Sequence, residues 1–161
     1  FLDDCLKVFQ DRFSDEATLI LDPNSEEELF WMKGFPSELR DAIRAIIINA
    51  VEAMPEKGKI RFSLQRLAAK EDRLPLFAEE PTDCVELKIS DRGRGMSEEV
   101  SLRAIEPFFT TKDVGEGVGL GLSNAYGIVG SMRGNLQIDS SPASELGGGT
   151  TITLTFPLVR P

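Results

Sequence analysis

Asn49 is the first of several residues whose type and setting could support ligand chemistry. It lies at the edge of an apolar stripe that recurs at helical spacing, where an amide is costly to bury without a partner. Mg²⁺ prefers carbonyl, carboxylate, phosphate and water oxygens, so Asn49 is a candidate metal ligand. Considered alone, it is better explained as an ordinary asparagine at the boundary between the apolar and polar faces of a helix.

A second candidate is Asp91, in the sequence SDRGRGM at residues 90–96, directly after a predicted strand. Its carboxylate can accept a hydrogen bond from an amino group, and Gly93 and Gly95 would let a flat ring approach the backbone. Adenine carries an amino group where guanine carries a carbonyl, so this acceptor would favour ATP. The alternative is a loop in which the glycines simply permit positive φ.

A third stretch, residues 106–123, has the sequence EPFFTTKDVGEGVGLGLS. Lys112 can place a point charge on a terminal phosphate. The later glycines lead into a predicted helix, where free N–H groups and the helix dipole favour phosphate. On their own they are weak support, because turns use glycine freely. Residues 107–119, here called the lid, are predicted to be mobile, with Phe108 and Phe109 as anchors in the core.

The fourth stretch, residues 147–150, has the sequence GGGT and precedes the last predicted strand. Two explanations fit this stretch equally well. It could be a flexible hairpin turn, or Thr150 could hold a water next to the adenine base. The sequence alone leaves both explanations open.

The hydrophobic pattern predicts the elements that must position these residues. Helical spacing indicates helices over residues 1–13, 36–54, 98–105 and 119–132. Alternating or short apolar runs indicate strands over residues 18–21, 29–32, 60–64, 85–91, 135–140 and 150–158. A charged, proline-containing stretch at 70–83 predicts a long surface loop. Together they predict one α+β domain over residues 1–161, a two-layer α/β sandwich with three main helices on a mostly antiparallel sheet.

Composition excludes several classes of function. The chain has 161 residues, a net charge of -9 and no histidine. The charge disfavours nucleic acid as a partner, and no apolar run is long enough to span a membrane. The missing histidine excludes imidazole acid–base chemistry, imidazole metal ligands and a phosphohistidine on these residues. Cys5 and Cys84 have no metal or redox spacing, so we expect two reduced, buried thiols in a cytoplasmic protein.

The order and spacing of the four stretches are more specific than any one of them. They resemble the N, G1, F and G2 boxes, with the closing Gly-Thr, of the ATP-binding catalytic domain of bacterial sensor histidine kinases. That domain belongs to a wider group with gyrase, Hsp90 and MutL, and the resemblance covers roughly residues 1–158. The sequences NAVEAM at 49–54, EPFFTTK at 106–112 and GLGLS at 119–123 look most like the nitrogen-regulation type of kinase.

The resemblance implies the Bergerat ATP-binding fold and a role for each box. Asn49 would coordinate Mg²⁺ and act in catalysis together with Lys112, and Asp91 would contact the adenine amino group of ATP. The remaining nucleotide contacts would come from Gly93, Gly95, Met96, Gly117, Gly119, Leu120, Gly121, Leu122 and Thr150. The glycines of the lid would let it close over the phosphates.

The resemblance also implies partners. The γ-phosphate would go to a histidine on a separate dimerisation domain of the same parent protein, and from there to a response-regulator receiver domain. Because Phe1 rather than methionine comes first, we expect this chain to be a segment of a longer parent protein. The resemblance implies that this parent is a homodimer. The catalytic domain itself would be cytoplasmic and contact neither nucleic acid nor a membrane, although the parent could be attached to one.

Three departures from the family pattern bear on the chemistry. Ala45 lies one helical turn before Asn49, where the group often has a polar residue, and glutamate where water is activated. Arg92 replaces a usual asparagine, and residues 131–134 (SMRG) lack a common histidine-glycine pair. Ala45 disfavours activation of a nucleophile by this domain. It therefore counts against one alternative, a serine/threonine kinase of the anti-sigma-factor kind, while a pseudokinase that only binds ATP remains a second.

Overall fold

The fold is a five-stranded sheet with helices packed against it, seen in a computed structural model that describes residues 2–23, 30–69, 82–113, 117–144 and 148–159. The helices are α1 (Leu2–Phe13), α2 (Pro36–Ala53), α3 (Glu98–Arg103) and α4 (Gly121–Ser131). The strands are β1 (Ala17–Leu21), β2 (Gly58–Leu67), β3 (Cys84–Asp91), β4 (Asn135–Ser141) and β5 (Gly149–Pro157). These elements confirm the predicted α+β class, with α1, α2 and α4 as the three main helices.

Helix α2 is the element that the sequence specifies most strongly. Pro36 suits its first turn, because the first N–H groups of a helix have no partner within it. Pro55 disfavours a helical conformation at Met54, whose extended backbone (ψ 129°) ends the helix. Its predicted apolar stripe is buried: Leu39, Ala42, Ile43, Ile46, Ile47 and Ala50. Asn49 is half-buried at the edge of that stripe, as the helical spacing predicts.

The sheet has the strand order β1-β2-β3-β5-β4. Strand β1 runs parallel to β2, with α2 as the connection between them, and every other neighbouring pair is antiparallel. The sheet is therefore mixed and mostly antiparallel, as expected.

Alternation along the strands decides which residues face the helices. Val85, Leu87 and Ile89 of β3 are buried in the core, whereas Ser90 on the opposite face bonds the Thr151 hydroxyl. Asp91 continues the core-facing series, and its partner in the sheet register is Thr150 at the start of β5. Two polar residues are thereby placed at the ends of central strands, beneath the helices.

The predicted strand at 29–32 is wrong for residues 30–32, which form no strand; Leu29 lies outside the described residues. A short apolar run without alternation does not specify a strand. The Trp31 carbonyl instead accepts a hydrogen bond from the Val159 N–H at 2.8 Å. The predicted loop at 70–83 lies outside the described residues except for residues 82 and 83, which have no regular structure.

Two predicted helix boundaries shift by two residues. Helix α4 begins at Gly121 rather than Gly119, because Gly119 has a left-handed backbone (φ 69°) that a helix cannot include. Helix α3 ends at Arg103 rather than at the predicted Ile105. Across the described ranges, no helix combines the length and the apolar character that crossing a membrane requires.

Candidate functional site

A cavity of about 1330 Å³ lies between α2, α4, the ends of β3 and β5, and two described parts of the lid, residues 109–112 and 117–119. Small-molecule sites commonly have roughly 300–1,000 Å³, so the cavity has room for a nucleotide. Eleven of the twelve site residues singled out in the sequence line it: Asn49, Asp91, Gly95, Met96, Lys112, Gly117, Gly119, Leu120, Gly121, Leu122 and Thr150. The fold thus brings residues more than 100 positions apart in the chain to one place.

Asp91 is a half-buried carboxylate that the backbone holds in a fixed orientation. The Gly93 N–H donates to Asp91 Oδ1 at 2.8 Å, and the backbone of Thr150 also bonds the carboxyl group. Burial raises the pKa of Asp91, and the hydrogen bonds from Gly93 and Thr150 lower it by less. A carboxylate that remains half-desolvated in the unliganded fold is suited to accept a hydrogen bond from a ligand.

The loop after Asp91 is packed tightly against the hairpin of β4 and β5. Gly95 has φ 62°, and a side chain there would place its Cβ 1.8 Å from the Ser141 carbonyl oxygen. Only glycine fits this position. Met96 follows and is anchored by its N–H, which donates to Ser140 Oγ at 2.9 Å.

Ser140 contacts site residues but was not predicted from the sequence to belong to the site. Its hydroxyl accepts from the Met96 N–H, donates to the Gly149 carbonyl at 3.0 Å and lies 2.9 Å from Thr150 Oγ1. It therefore ties the aspartate loop to the start of β5 and orients the Thr150 hydroxyl. No pattern marks a serine near the end of a strand, and only the register Ser140↔Thr150 could have drawn attention to it.

Gly93 lies outside the main cavity. It lines a second one, behind the sheet, together with Lys59, Arg61 and Arg92. The next residue, Arg94, donates its N–H to the Ala53 carbonyl at 2.9 Å, so this part of the loop rests on the end of α2. Gly93 reaches the site through its hydrogen bond to Asp91.

Asn49 faces the first turn of α4. An atom in the Cβ position of Gly121 would lie 3.5 Å from Asn49 Nδ2 and 4.0 Å from the Ala45 Cβ. Glycine at 121 therefore lets the start of α4 come close to α2. The N–H groups of a helix's first turn lack partners within the helix, and the helix dipole adds partial positive charge there. An anion between Asn49 and α4 would accept hydrogen bonds from these N–H groups and be stabilised by the helix dipole.

The donor set at Asn49 fits Mg²⁺. Within the described ranges, no three histidine, cysteine, aspartate or glutamate side chains come together as a metal site. Mg²⁺ is a hard cation that prefers oxygen ligands, and it takes several of them from water and substrate phosphates rather than from the protein. The side-chain amide oxygen of Asn49 is such an oxygen ligand, and it lines a cavity with room for phosphates. Glu52, three residues further along the same helix, also lines this cavity.

The first part of the lid, residues 107–113, is held to α2 and α3 by side chains. Lys112 Nζ lies 2.5 Å from Glu52 Oε2 on α2. The Arg103 guanidinium on α3 stacks 4.3 Å from the centre of the Phe109 ring. Phe109 is half-buried, but it is not among the partly buried hydrophobic residues that pack against the core, so its predicted role as a core anchor is not confirmed.

Phe108 is not a core anchor, and that prediction is wrong. Its side chain is 70% exposed. The backbone turns back at this residue with φ 66°, and the Phe108 N–H donates to the Gly119 carbonyl at 2.9 Å. This turn at the base of the lid keeps the Phe108 side chain outside the core. Gly119 has φ 69° and comes so close that a Cβ would lie 2.5 Å from the Phe109 carbonyl oxygen.

A sequence model of the family described as "Histidine kinase-, DNA gyrase B-, and HSP90-like ATPase" matches residues 34–160. The chain is 38% identical over 113 residues to the sensor kinase CckA of Brucella abortus, which covers 70% of the chain and 12% of that protein. It is 32% identical over 123 residues to sporulation kinase E of Bacillus subtilis, which covers 76% of the chain and 14% of that protein. The chain therefore spans only a small part of these relatives.

The same fold occurs in a solved structure. The catalytic domain of the histidine kinase ThkA, in a nucleotide-free form, superposes with a TM-score of 0.72 at 19% identity, covering 97% of this chain and 89% of that one. At this identity the similarity concerns the fold alone. It agrees with the α+β sandwich described above.

Proposed function

The chain belongs to the histidine kinase-, DNA gyrase B- and HSP90-like ATPase family, and we propose that it is the catalytic part of a sensor histidine kinase. In this proposal the chain binds Mg·ATP and presents the γ-phosphate to a histidine on a separate dimerisation domain. The observation that carries it is the single cavity that collects a half-buried carboxylate, an amide oxygen, a lysine and the start of a helix.

Each part of the cavity suits one part of the nucleotide. Asp91 accepts from the adenine amino group, beside Gly95 and Met96. The first turn of α4, with Leu120, Gly121 and Leu122, donates backbone N–H groups to the phosphates. Lys112 supplies a positive charge at the terminal phosphate, and Thr150, oriented by Ser140, holds a water at the base. Bound Mg²⁺, held through Asn49, would neutralise phosphate charge.

The mechanism requires positioning and charge neutralisation more than acid–base chemistry. Phosphoryl transfer has little covalent chemistry for the protein to perform, so orientation of the γ-phosphate is the main contribution. The chain has no histidine and so offers no imidazole acceptor of its own. Ala45 lines the cavity where a base for water would be needed, and the acceptor's base would come from the partner domain.

The sequence favours a finer assignment. The NAVEAM and EPFFTTK sequences support the nitrogen-regulation type of kinase. We propose a single catalytic domain in a homodimeric parent, located in the cytoplasm, with a response-regulator receiver domain as the downstream partner. The similar sensor kinases are much longer than this chain, which agrees with a phosphoacceptor domain elsewhere in the parent.

Ala45 also bears on the two alternative functions, a serine/threonine kinase and a pseudokinase. A serine/threonine kinase of the anti-sigma-factor kind must deprotonate a hydroxyl, and a carboxylate at position 45 would serve that purpose. The alanine there counts against it. A pseudokinase would keep the whole cavity and differ only in the absence of phosphate transfer.

The base preference tests the nucleotide assignment. We expect the chain to bind Mg·ATP at least tenfold more tightly than Mg·GTP, a difference of about 1.4 kcal/mol. Guanine presents a carbonyl to the Asp91 carboxylate, and a site with a buried acceptor rejects a ligand that cannot donate. Calorimetric titration with both nucleotides measures the ratio. Equal affinities would contradict the role of Asp91 and with it the orientation of the nucleotide.

A further inference from the structure

Glu52 has no assigned nucleotide contact, yet its carboxylate is the contact that holds Lys112 of the lid. We propose that Glu52 is a positioning residue that holds Lys112 against α2 before nucleotide binds and releases it to the terminal phosphate afterwards. The second half of this proposal rests on the proposed function. The first half concerns the unliganded chain alone and can be tested without nucleotide.

The contact between the two residues is close and joins distant segments. Lys112 Nζ donates to Glu52 Oε2 at 2.5 Å, across 60 positions in the chain. The lysine stem runs past Gly117, where a Cβ would lie 3.0 Å from Lys112 Cδ, so the absence of a side chain at 117 leaves space for it. The Lys112 N–H also donates to Thr110 Oγ1 at 3.2 Å, which fixes the local turn of the lid.

The position of Glu52 places this contact beside the phosphate end of the cavity. Glu52 follows Asn49 by three residues on α2, so both lie on one side of the helix, and both line the cavity. Lys112 is therefore held within the site, near the candidate metal ligand, before any ligand arrives. Association with nucleotide then does not require the lid to search for its position.

The contact is also weak enough to be exchanged. The side chains of Lys112 and Glu52 are 25% and 38% exposed, and ion pairs so open to water contribute little. A triphosphate carries more negative charge than one carboxylate, so Lys112 would move to it at small cost. Glu52 would then be free, next to Asn49, to accept from a water bound to Mg²⁺. The same pair would thus hold the lid without nucleotide and release it with nucleotide.

Hydrogen exchange of the lid in the unliganded chain tests the first half. We expect residues 108–113 to exchange about two- to fivefold faster in Glu52→Gln than in the wild type, the range that an exposed ion pair supports. Lys112→Gln should show the same increase, and the double variant Glu52→Gln/Lys112→Gln no more than either. The charge-exchanged chain Glu52→Lys/Lys112→Glu should return to the wild-type rate within a factor of about two.

Glu56→Gln serves as the matched control, because Glu56 is exposed just beyond α2 and does not line the cavity. It removes the same charge and should leave the exchange rate unchanged. Equal exchange in the wild type and Glu52→Gln would overturn the proposal, as would additive effects of the two single variants. So would a charge-exchanged chain that remains as fast as Glu52→Gln.

Nucleotide binding tests the second half. We expect Glu52→Gln to slow the association of Mg·ATP about two- to fivefold, while the dependence on Mg²⁺ remains. Loss of the Mg²⁺ dependence in Glu52→Gln, with unchanged lid exchange, would assign Glu52 to the metal and overturn its role in holding Lys112. If the wild type failed to bind ATP, the proposed function would fall, but the exchange result would still decide whether Glu52 holds the lid.

Discussion

Asp91→Ala is expected to lower the affinity for ATP at least tenfold, about 1.4 kcal/mol, and to remove the preference for ATP over GTP. In the unliganded fold, Asp91 is half-buried, accepts from the backbone N–H groups of Gly93 and Thr150, and lines the cavity. Without it, the adenine amino group loses its buried acceptor. Calorimetric titration with ATP and GTP gives both quantities.

Asp139→Ala is the control for this variant, because Asp139 is an exposed aspartate of β4 that does not line the cavity. Its ATP affinity should match that of the wild type. Thermal melting of both variants shows whether the fold persists, since Asp91→Ala leaves two backbone N–H groups without their acceptor. Unchanged ATP affinity in a folded Asp91→Ala variant would remove the aspartate loop from the nucleotide site.

Asn49→Leu is expected to abolish the Mg²⁺ dependence of ATP binding and with it phosphate transfer. The substitution removes the only oxygen ligand that α2 offers at that position, while leucine has a similar size and favours a helix. Because Asn49 is half-buried beside an apolar stripe, the leucine should pack without loss of the fold. Titration with ATP in Mg²⁺ and in EDTA measures the effect.

Asn49→Asp is the matched variant, because a carboxylate is also a good Mg²⁺ ligand. It should retain binding that depends on Mg²⁺, although the added negative charge near the phosphates should weaken it. An Asn49→Leu chain with full Mg²⁺-dependent binding would contradict the assignment of the metal to this residue. Equal loss in both variants would indicate that the asparagine amide acts in another way.

The sequence predicted those parts of the fold that depend on local pattern. The buried stripe of α2 and the alternation in β3 and β5 each determine which face of the element packs against the core. A shift of one residue would expose the apolar side chains to solvent. The half-buried place of Asn49 and the strand end at Asp91 follow from these elements. The run at 30–32 has no such alternation, and there the prediction failed.

What could not be predicted depends on contacts between distant segments. Ser140 became part of the site only through its register with Thr150, and Glu52 through a lysine 60 positions away. The turn at Phe108 depends on its hydrogen bond with Gly119. The sequence alone did not predict this turn, because Phe108 and Phe109 are adjacent and both were expected to be buried. Gly93 was expected to shape the base pocket directly, whereas its contact with the site is a backbone hydrogen bond to Asp91.

The central claim, transfer of the γ-phosphate to a histidine on another domain, is tested most directly with γ-labelled ATP. The chain is incubated alone, mixed with a helical dimerisation domain that carries a phosphoacceptor histidine, and fused to that domain. The labelled protein is then treated with acid and with base. The account predicts no label on the chain alone, which has no histidine, and an acid-labile, base-stable label on the fusion. Fusion should speed transfer over mixing because it raises the effective concentration. An acid-stable label on the chain itself would contradict the account in favour of serine or threonine chemistry, and tight ATP binding without any label on the fusion would contradict it in favour of a pseudokinase.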